Sequence, residues 1–329
     1  MKRTKLLLMV AAAVAVVWFT LAVQAGLFLP DDTQIGRPVA DEWSATKKFV
    51  TIGSTPIAYV EAGPIDAPPL VLLHGCPFSS VIWRDVLPAL AKDHHVIAPD
   101  LLGLGDTRVT LADDYRRHED AELMVKLLDQ LGIARADFVT TDHGGAVLQL
   151  LMGLAPQRIG RAVITNAEAY SSWPSDEERP YLEAVVHPVA GPIFKALLSF
   201  TVVRREVFSI ATADPRSLDD AMLNAFVESH TSSPERWQRL VRFYRWQLDP
   251  EHQAETTRAV PAMRAFPRPV LVLWGAADGN FGPGIAERLT RDFPAGRLEW
   301  IERAGHLPMV EQPAQYVASV TQFLAEERP

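Results

Sequence analysis

The chain has 329 residues, 48% hydrophobic and 22% charged, a balance that excludes a disordered chain and leaves enough apolar material for a large core. Its formal charge of −8, from 32 Lys and Arg against 40 Asp and Glu and without a long basic run, gives no footprint for nucleic acid. Cys76 is the single cysteine, so an internal disulfide framework and a multi-cysteine metal site are excluded.

In chain order, Lys2, Arg3 and Lys5 precede an apolar run, residues 6–23, followed by the small-residue pattern Val23-Gln24-Ala25. These are the parts of a signal peptide cleaved after Ala25. About 18 apolar residues also just span a bilayer, so residues 1–25 read as a signal peptide or as an uncleaved transmembrane anchor. Both readings export the rest of the chain to the periplasm or the cell exterior, with tethering through residues 6–23 in the second. Pro30, Asp31, Asp32 and Gly36 make residues 26–44 a polar linker, and the folded part is expected to begin near Ala45.

From there short β-rich runs alternate with helical stretches, the pattern of a mostly parallel sheet covered by helices. The expected strands are Lys48 to Ile52, Pro56 to Glu61, Leu70 to Leu73, His95 to Ala98, Asp137 to Thr141, Ala162 to Thr165, Val270 to Trp274 and Leu298 to Ile301. The first two read as a hairpin across Gly53-Ser54-Thr55. Ala121 to Leu131 has helical spacing and stops at Gly132, a C-cap glycine. Residues 168–268 hold no convincing strand, carry Trp173, Pro174, Pro180, Pro188 and Pro192, and suggest helices at Ile193 to Phe200, Leu218 to Val227 and Pro234 to Leu248. They read as a helical lid inserted after the sixth strand of a core made of residues 45–167 and 269–329, over the sheet edge where open α/β folds bind ligands.

Four segments end strands with chemically useful residues. Thr141-Asp142-His143-Gly144-Gly145 lies between an expected strand and the helical run Ala146 to Leu154, the context of a nucleophile elbow, although no Gly-x-Ser-x-Gly occurs. Asp142 by itself is equally a helix cap. His74-Gly75-Cys76-Pro77 follows a strand and offers a tight turn that aims backbone N–H groups at a developing negative charge. Trp274-Gly275-Ala276-Ala277-Asp278 supplies a further carboxylate, and Ala304-Gly305-His306 a late histidine, in the order nucleophile, acid, base.

With these residues in view, and with Pro99-Asp100-Leu101-Leu102-Gly103-Leu104-Gly105 in support, the stretch from about Lys48 to Phe323 resembles the α/β-hydrolase superfamily. More narrowly it is similar to the aspartate-nucleophile branch, the haloalkane dehalogenases and epoxide hydrolases. The resemblance implies an eight-stranded, mostly parallel sheet with helices on both faces and a helical lid. It implies attack by ionised Asp142 on a saturated carbon, hydrolysis of the resulting alkyl ester by a water that His306 deprotonates, Asp278 orienting His306, and an oxyanion hole from the N–H groups of Cys76 and His143. No cofactor is implied, and no His/Asp cluster has the spacing of a metal site.

Several positions depart from the branch. Thr140 stands where the elbow usually has glycine, His143 where dehalogenases place a halide-binding tryptophan, and Cys76 where they place a second donor. Trp173 is the lid residue able to contribute to a halide clamp. Epoxide hydrolases use lid tyrosines as proton donors; Tyr170, Tyr181 and Tyr244 are available, and Tyr244 is the preferred one. Glu168, after the strand before the lid, is an alternative acid to Asp278. The expected function is opening of epoxides of small apolar molecules, with haloalkane dehalogenation as the alternative; an acyl-ester hydrolase and a non-catalytic binding protein on the same fold stay open.

Overall fold

A computed structural model describes residues 39–326. After helix α1 (Val39–Thr46) come β1 (Lys48–Ile52), β2 (Thr55–Ala62), β3 (Pro69–Leu73), α2 (Leu87–Leu90), β4 (His95–Pro99), α3 (Arg117–Gln130), β5 (Ala136–Asp142), α4 (His143–Leu154) and β6 (Ile159–Ala167). The inserted region holds α5 (Arg179–Val186), α6 (Ala190–Leu197), α7 (Thr201–Ser209), α8 (Asp220–Thr231), α9 (Pro234–Gln247), α10 (Pro250–Arg258) and α11 (Val260–Ala265). The core resumes with β7 (Val270–Gly275), α12 (Pro283–Asp292), β8 (Gly296–Ile301), α13 (Pro308–Glu311) and α14 (Pro313–Ala325).

The strands form one sheet in the order β1-β2-β4-β3-β5-β6-β7-β8, antiparallel at β1-β2 and β2-β4 and parallel from β4 onward. Each expected strand is present. The inner ones are runs such as Leu70-Val71-Leu72-Leu73 and Val270-Leu271-Val272-Leu273, buried on both faces, as parallel strands covered by helices must be. Edge strand β1, in contrast, is half exposed.

One buried hydrophobic cluster runs without a break from the sheet into the lid, where it takes in Leu182, Phe226, Trp237 and Phe243. Polar bonds add to this seam: Arg236 donates to the Gly105 carbonyl at 2.9 Å and to Asp106 at 2.6 Å, and Arg239 donates to the Thr107 carbonyl at 2.9 Å. The helical runs expected in the lid correspond to α6, α8 and α9. The start of α9 follows from Ser233, which caps Arg236 N–H, and from Pro234 in the first turn. Helices α5, α7, α10 and α11 were not expected, because they are short and only moderately apolar.

Two expectations need correction. The linker was expected to run through residue 44, yet Val39–Thr46 is helical and tied to the core. Trp43 donates to Ser80 Oγ at 3.0 Å, and Lys47 ion-pairs with Asp100 at 2.6 Å and Asp106 at 2.8 Å. Its polar composition concealed that these side chains face inward. The transmembrane-helix and membrane expectation is likewise overturned within residues 39–326, where no helix is long and apolar enough to cross a membrane. The segment that suggested it, residues 6–23, lies outside the described residues, as does the signal-peptide reading.

Candidate active site

Strand β5 ends at Asp142, whose φ of 52° and ψ of −123° turn the chain abruptly into α4. A non-glycine residue holds such a conformation only when its neighbours impose it. They do so by close approach: a Cβ on Gly144 would stand 2.4 Å from the Leu73 carbonyl oxygen, and a Cβ on Gly75 would stand 2.3 Å from Asp142 Cβ. Thr140 needs no glycine, since its buried hydroxyl donates to the Val163 carbonyl at 3.1 Å. The turn projects the Asp142 side chain beyond the sheet edge while keeping it buried.

The two oxygens of Asp142 have different surroundings. Oδ1 accepts from the backbone N–H of Cys76 at 2.7 Å and of His143 at 2.5 Å, while Oδ2 lies 3.0 Å from His306 Nε2. The Cys76 turn is set by His74. Burial pushes the pKa of this histidine down to about 4, so the ring is neutral, with Nε2 accepting from Leu101 N–H and Nδ1 donating to the Gly75 carbonyl.

His306 Nδ1 lies 3.3 Å from Asp278 Oδ2. Burial alone would lower the proton affinity of His306, but Asp278 and Asp142 outweigh it and hold the pKa well above the usual histidine value. Asp278 is itself positioned by residues the sequence reading missed. Asn166, at the end of β6 with a φ of 37°, donates Nδ2 to Asp278 Oδ2 at 2.7 Å and accepts the Gly275 N–H at 2.9 Å. The Asn280 N–H donates to Asp278 Oδ1 at 2.8 Å. A polar residue at the end of an otherwise apolar strand, as in Ile164-Thr165-Asn166-Ala167, was the available signal.

A small cavity of about 70 Å³ opens against His306 under the lid, lined by Cys76, Phe78, Trp173, Glu178, Tyr181, Phe208 and Tyr244 among others. Tyr244, on α9, is buried with its hydroxyl against the Cys76 side chain. Burial also raises the Cys76 thiol well above its ordinary range, so it stays protonated. Trp173 lines the cavity as expected, but its indole N–H donates to Gln247 Oε1 at 2.8 Å, which corrects its expected part in a halide clamp. Tyr170 lies elsewhere, donating to Asp292.

Glu168 is also corrected as an acid for His306. It is 3.2 Å from His143 Nδ1 and 3.0 Å from the Arg117 guanidinium, in a separate buried cluster. Burial would raise its pKa, but Arg117 and His143 bring it below the usual value. The His143 ring stacks on His252 and meets Phe243 edge-on, so only its backbone N–H serves the site. Asp120 lies 4.0 Å from His143 Nε2, and burial lifts its pKa to about 7.

A larger cleft of about 510 Å³, bordered by Arg116, His118, Glu255 and Arg258, touches none of Asp142, Asp278 and His306. Among the described residues, Asp114, His118 and Glu119 have ligand atoms within 4.8 Å of one another. Arg116 and Glu255 already engage the first two.

Comparison with known proteins agrees with this architecture. The family model of the alpha/beta hydrolase fold matches residues 68–313. A carboxylesterase of Bacillus subtilis, YbfK, is 26% identical over 275 residues, covering 80% of this chain and 83% of its own. A haloalkane dehalogenase of Mesorhizobium japonicum is 28% identical over 273 residues, covering 79% and 83%. The crystal structure of haloalkane dehalogenase DbeA from Bradyrhizobium elkani superimposes with a TM-score of 0.71 at 25% identity, covering 85% of this chain and 97% of its own. The chain belongs to the alpha/beta hydrolase fold family and is an enzyme of that type, with dehalogenase and esterase relatives.

Proposed function

We propose that the protein is an aspartate-nucleophile hydrolase that opens epoxides of small apolar molecules through an alkyl ester on Asp142. The observation that carries this reading is the division between the two Asp142 oxygens, one held by the N–H groups of Cys76 and His143 and the other beside His306. A serine here would need a base before it could attack; a carboxylate is ionised already. Attack by Oδ2 leaves Oδ1 as the ester carbonyl oxygen, seated on two donors that stabilise the oxyanion when water adds. Esterification removes the Asp142 charge, so His306 loses one of the two carboxylates that raise its pKa. With its proton affinity lowered, it can release its proton and then take one from the hydrolytic water as base, with Asp278 stabilising the imidazolium.

An oxygen leaving group fits the lid better than a halide. The Trp173 N–H is committed to Gln247 and the His143 ring is turned into the core, whereas the Tyr244 hydroxyl lies in the cavity wall. Phe78, Leu182, Val207 and Phe208 give that cavity an apolar lining, which supports a small apolar substrate. Dehalogenation is the second reading, favoured by the dehalogenase relatives. Export to the periplasm or cell exterior is part of the proposal and rests on the basic residues and small-residue site around residues 6–23.

The test is intact-protein mass spectrometry of His306→Gln incubated separately with epoxides and haloalkanes. The expected result is an adduct with the mass of the whole epoxide on Asp142, absent in Asp142→Asn. An adduct of an alkyl group without halogen would move the assignment to dehalogenation. No mass on Asp142 from either class, together with ester turnover that vanishes in Asp142→Ala, would establish acyl hydrolysis instead.

A further inference from the structure

Glu178 immediately precedes α5 and shares the cavity wall with Cys76, Trp173, Tyr244 and His306. Its Oε1 accepts from Asn280 Nδ2 at 2.7 Å, and the Asn280 N–H in turn holds Asp278. Its Oε2 is sealed from solvent and has no hydrogen-bond partner. The charged groups that face it are mostly negative, Asp142 on the elbow, Asp278 after β7 and Glu168 after β6, and among those named in this cluster His306 after β8 alone favours its ionised form. A buried carboxyl oxygen left without a partner calls for a physical explanation.

We propose that Glu178 is a proton donor of this site, delivering the proton on Oε2 to the oxygen released when Asp142 opens an epoxide ring. The inference rests on the alkyl-enzyme reading and assigns the substrate class more narrowly, to small cyclic ethers whose ring oxygen reaches the lid wall. With Oε1 occupied as an acceptor, the proton belongs on Oε2. Burial first, then the charges of Asp142 and Asp278, raise the Glu178 pKa well above the ordinary carboxyl value, which favours the acid form. The Asp142 Oδ2–carbon bond forms as the ring carbon–oxygen bond breaks. The electron pair goes to the ring oxygen, which takes the Glu178 proton and leaves a carboxylate. Water then gives a proton to His306, which is neutral once esterification has removed the Asp142 charge, and its hydroxide to the ester; the departing alkoxide takes the His306 proton, and the proton of the regenerated Asp142 carboxyl returns to Glu178. The sum is epoxide plus water to diol. Burial raises the pKa of Tyr244 well above its ordinary value, and its hydroxyl is engaged with the Cys76 side chain.

The test uses the full chain with His306→Gln, so that alkylation of Asp142 is read alone by mass, with styrene oxide and with an alkyl bromide. Adding Glu178→Gln is expected to slow alkylation by styrene oxide at least about a hundredfold. The bromide, whose leaving group needs no proton, slows far less. The alkaline fall in the epoxide rate should disappear with Glu178→Gln and persist, at a lower overall rate, with Glu178→Asp, which keeps the acid on a shorter arm. Cys76 and Tyr244 face the same cavity, but both are raised by burial and remain in every variant, so they cannot account for that difference. An unchanged epoxide rate in Glu178→Gln, an equal loss with both substrates, or an alkaline limb that survives Glu178→Gln overturns the proposal. Failure of His306→Gln itself to form an adduct, with Glu178 intact, overturns the alkyl-enzyme reading and this inference with it.

Discussion

The Asp278 carboxylate has three polar partners, His306 and Asn166 at one oxygen and the Asn280 N–H at the other. Of these Asn166 is the most exacting, because it grips both Asp278 and the Gly275 N–H from a strained backbone position. Asn166→Ala is therefore expected to loosen the orientation of His306 without altering the cavity lining. Steady-state kinetics should show kcat down by about ten- to a hundredfold with KM little changed, the signature of a positioning residue. A comparable rise in KM would instead place Asn166 in substrate binding.

At the scale of elements, the site depends on how closely α4 meets the end of β3. Gly144, in the first turn of α4, has no room for a side chain, because the obstructing atoms are the Leu73 and His74 carbonyl oxygens, at 2.4 and 2.7 Å from an added Cβ. Backbone cannot rotate away as a side chain can. Gly144→Ala should destabilise the protein by about 1–3 kcal/mol in urea unfolding and displace the two N–H groups around Asp142 Oδ1. Gly153, in the same helix, would meet only Ala262 Cβ at 3.4 Å. Gly153→Ala is expected to leave stability unchanged or raise it by up to about 1 kcal/mol, since alanine loses less backbone entropy in a helix. The pair separates close packing from helix propensity on one element.

Across the whole molecule, lid and core are joined by a buried polar layer as well as by apolar contact. Arg117, Glu168, His143 and Asp120 lie in this layer, with Asp120 the member whose pKa is raised, to about 7. Its folded-state pKa lies above its unfolded value, so its contribution to stability is complete below about pH 4 and is lost as pH rises through about 7. Unfolding free energy should fall by up to about 4 kcal/mol across that window on account of Asp120 alone. Asp120→Asn, which keeps an oxygen for the Leu102 N–H, should flatten the slope measured by denaturant titration between pH 5 and pH 8. An unaltered slope would show that the layer titrates through other groups.

The strands were legible because burial on both faces demands unbroken apolar runs, and that demand is local to each run. The strand ends were legible for the same reason: Asp142, Asp278 and His306 stand where such runs stop beside glycine. What the sequence could not reveal is which polar side chains share one enclosed space. Glu168 and Asp278 both follow strands, and only the order β5-β6-β7 with the actual turn after each strand sends one to Arg117 and the other to His306. Trp173 and Tyr244 both come from the lid, and the partner each finds, Gln247 for one and Cys76 for the other, depends on how separate helices dock. Glu178 carried no signal at all in Asp176-Glu177-Glu178-Arg179, which reads as a solvated charge run. Sequence alone determined the fold and the three residues at the strand ends, because periodicity and turn chemistry act over a few neighbours. Tertiary structure decided the hydrogen-bond partners and proton affinities, because desolvation and charge act between residues that are distant along the chain and adjacent only once it has folded.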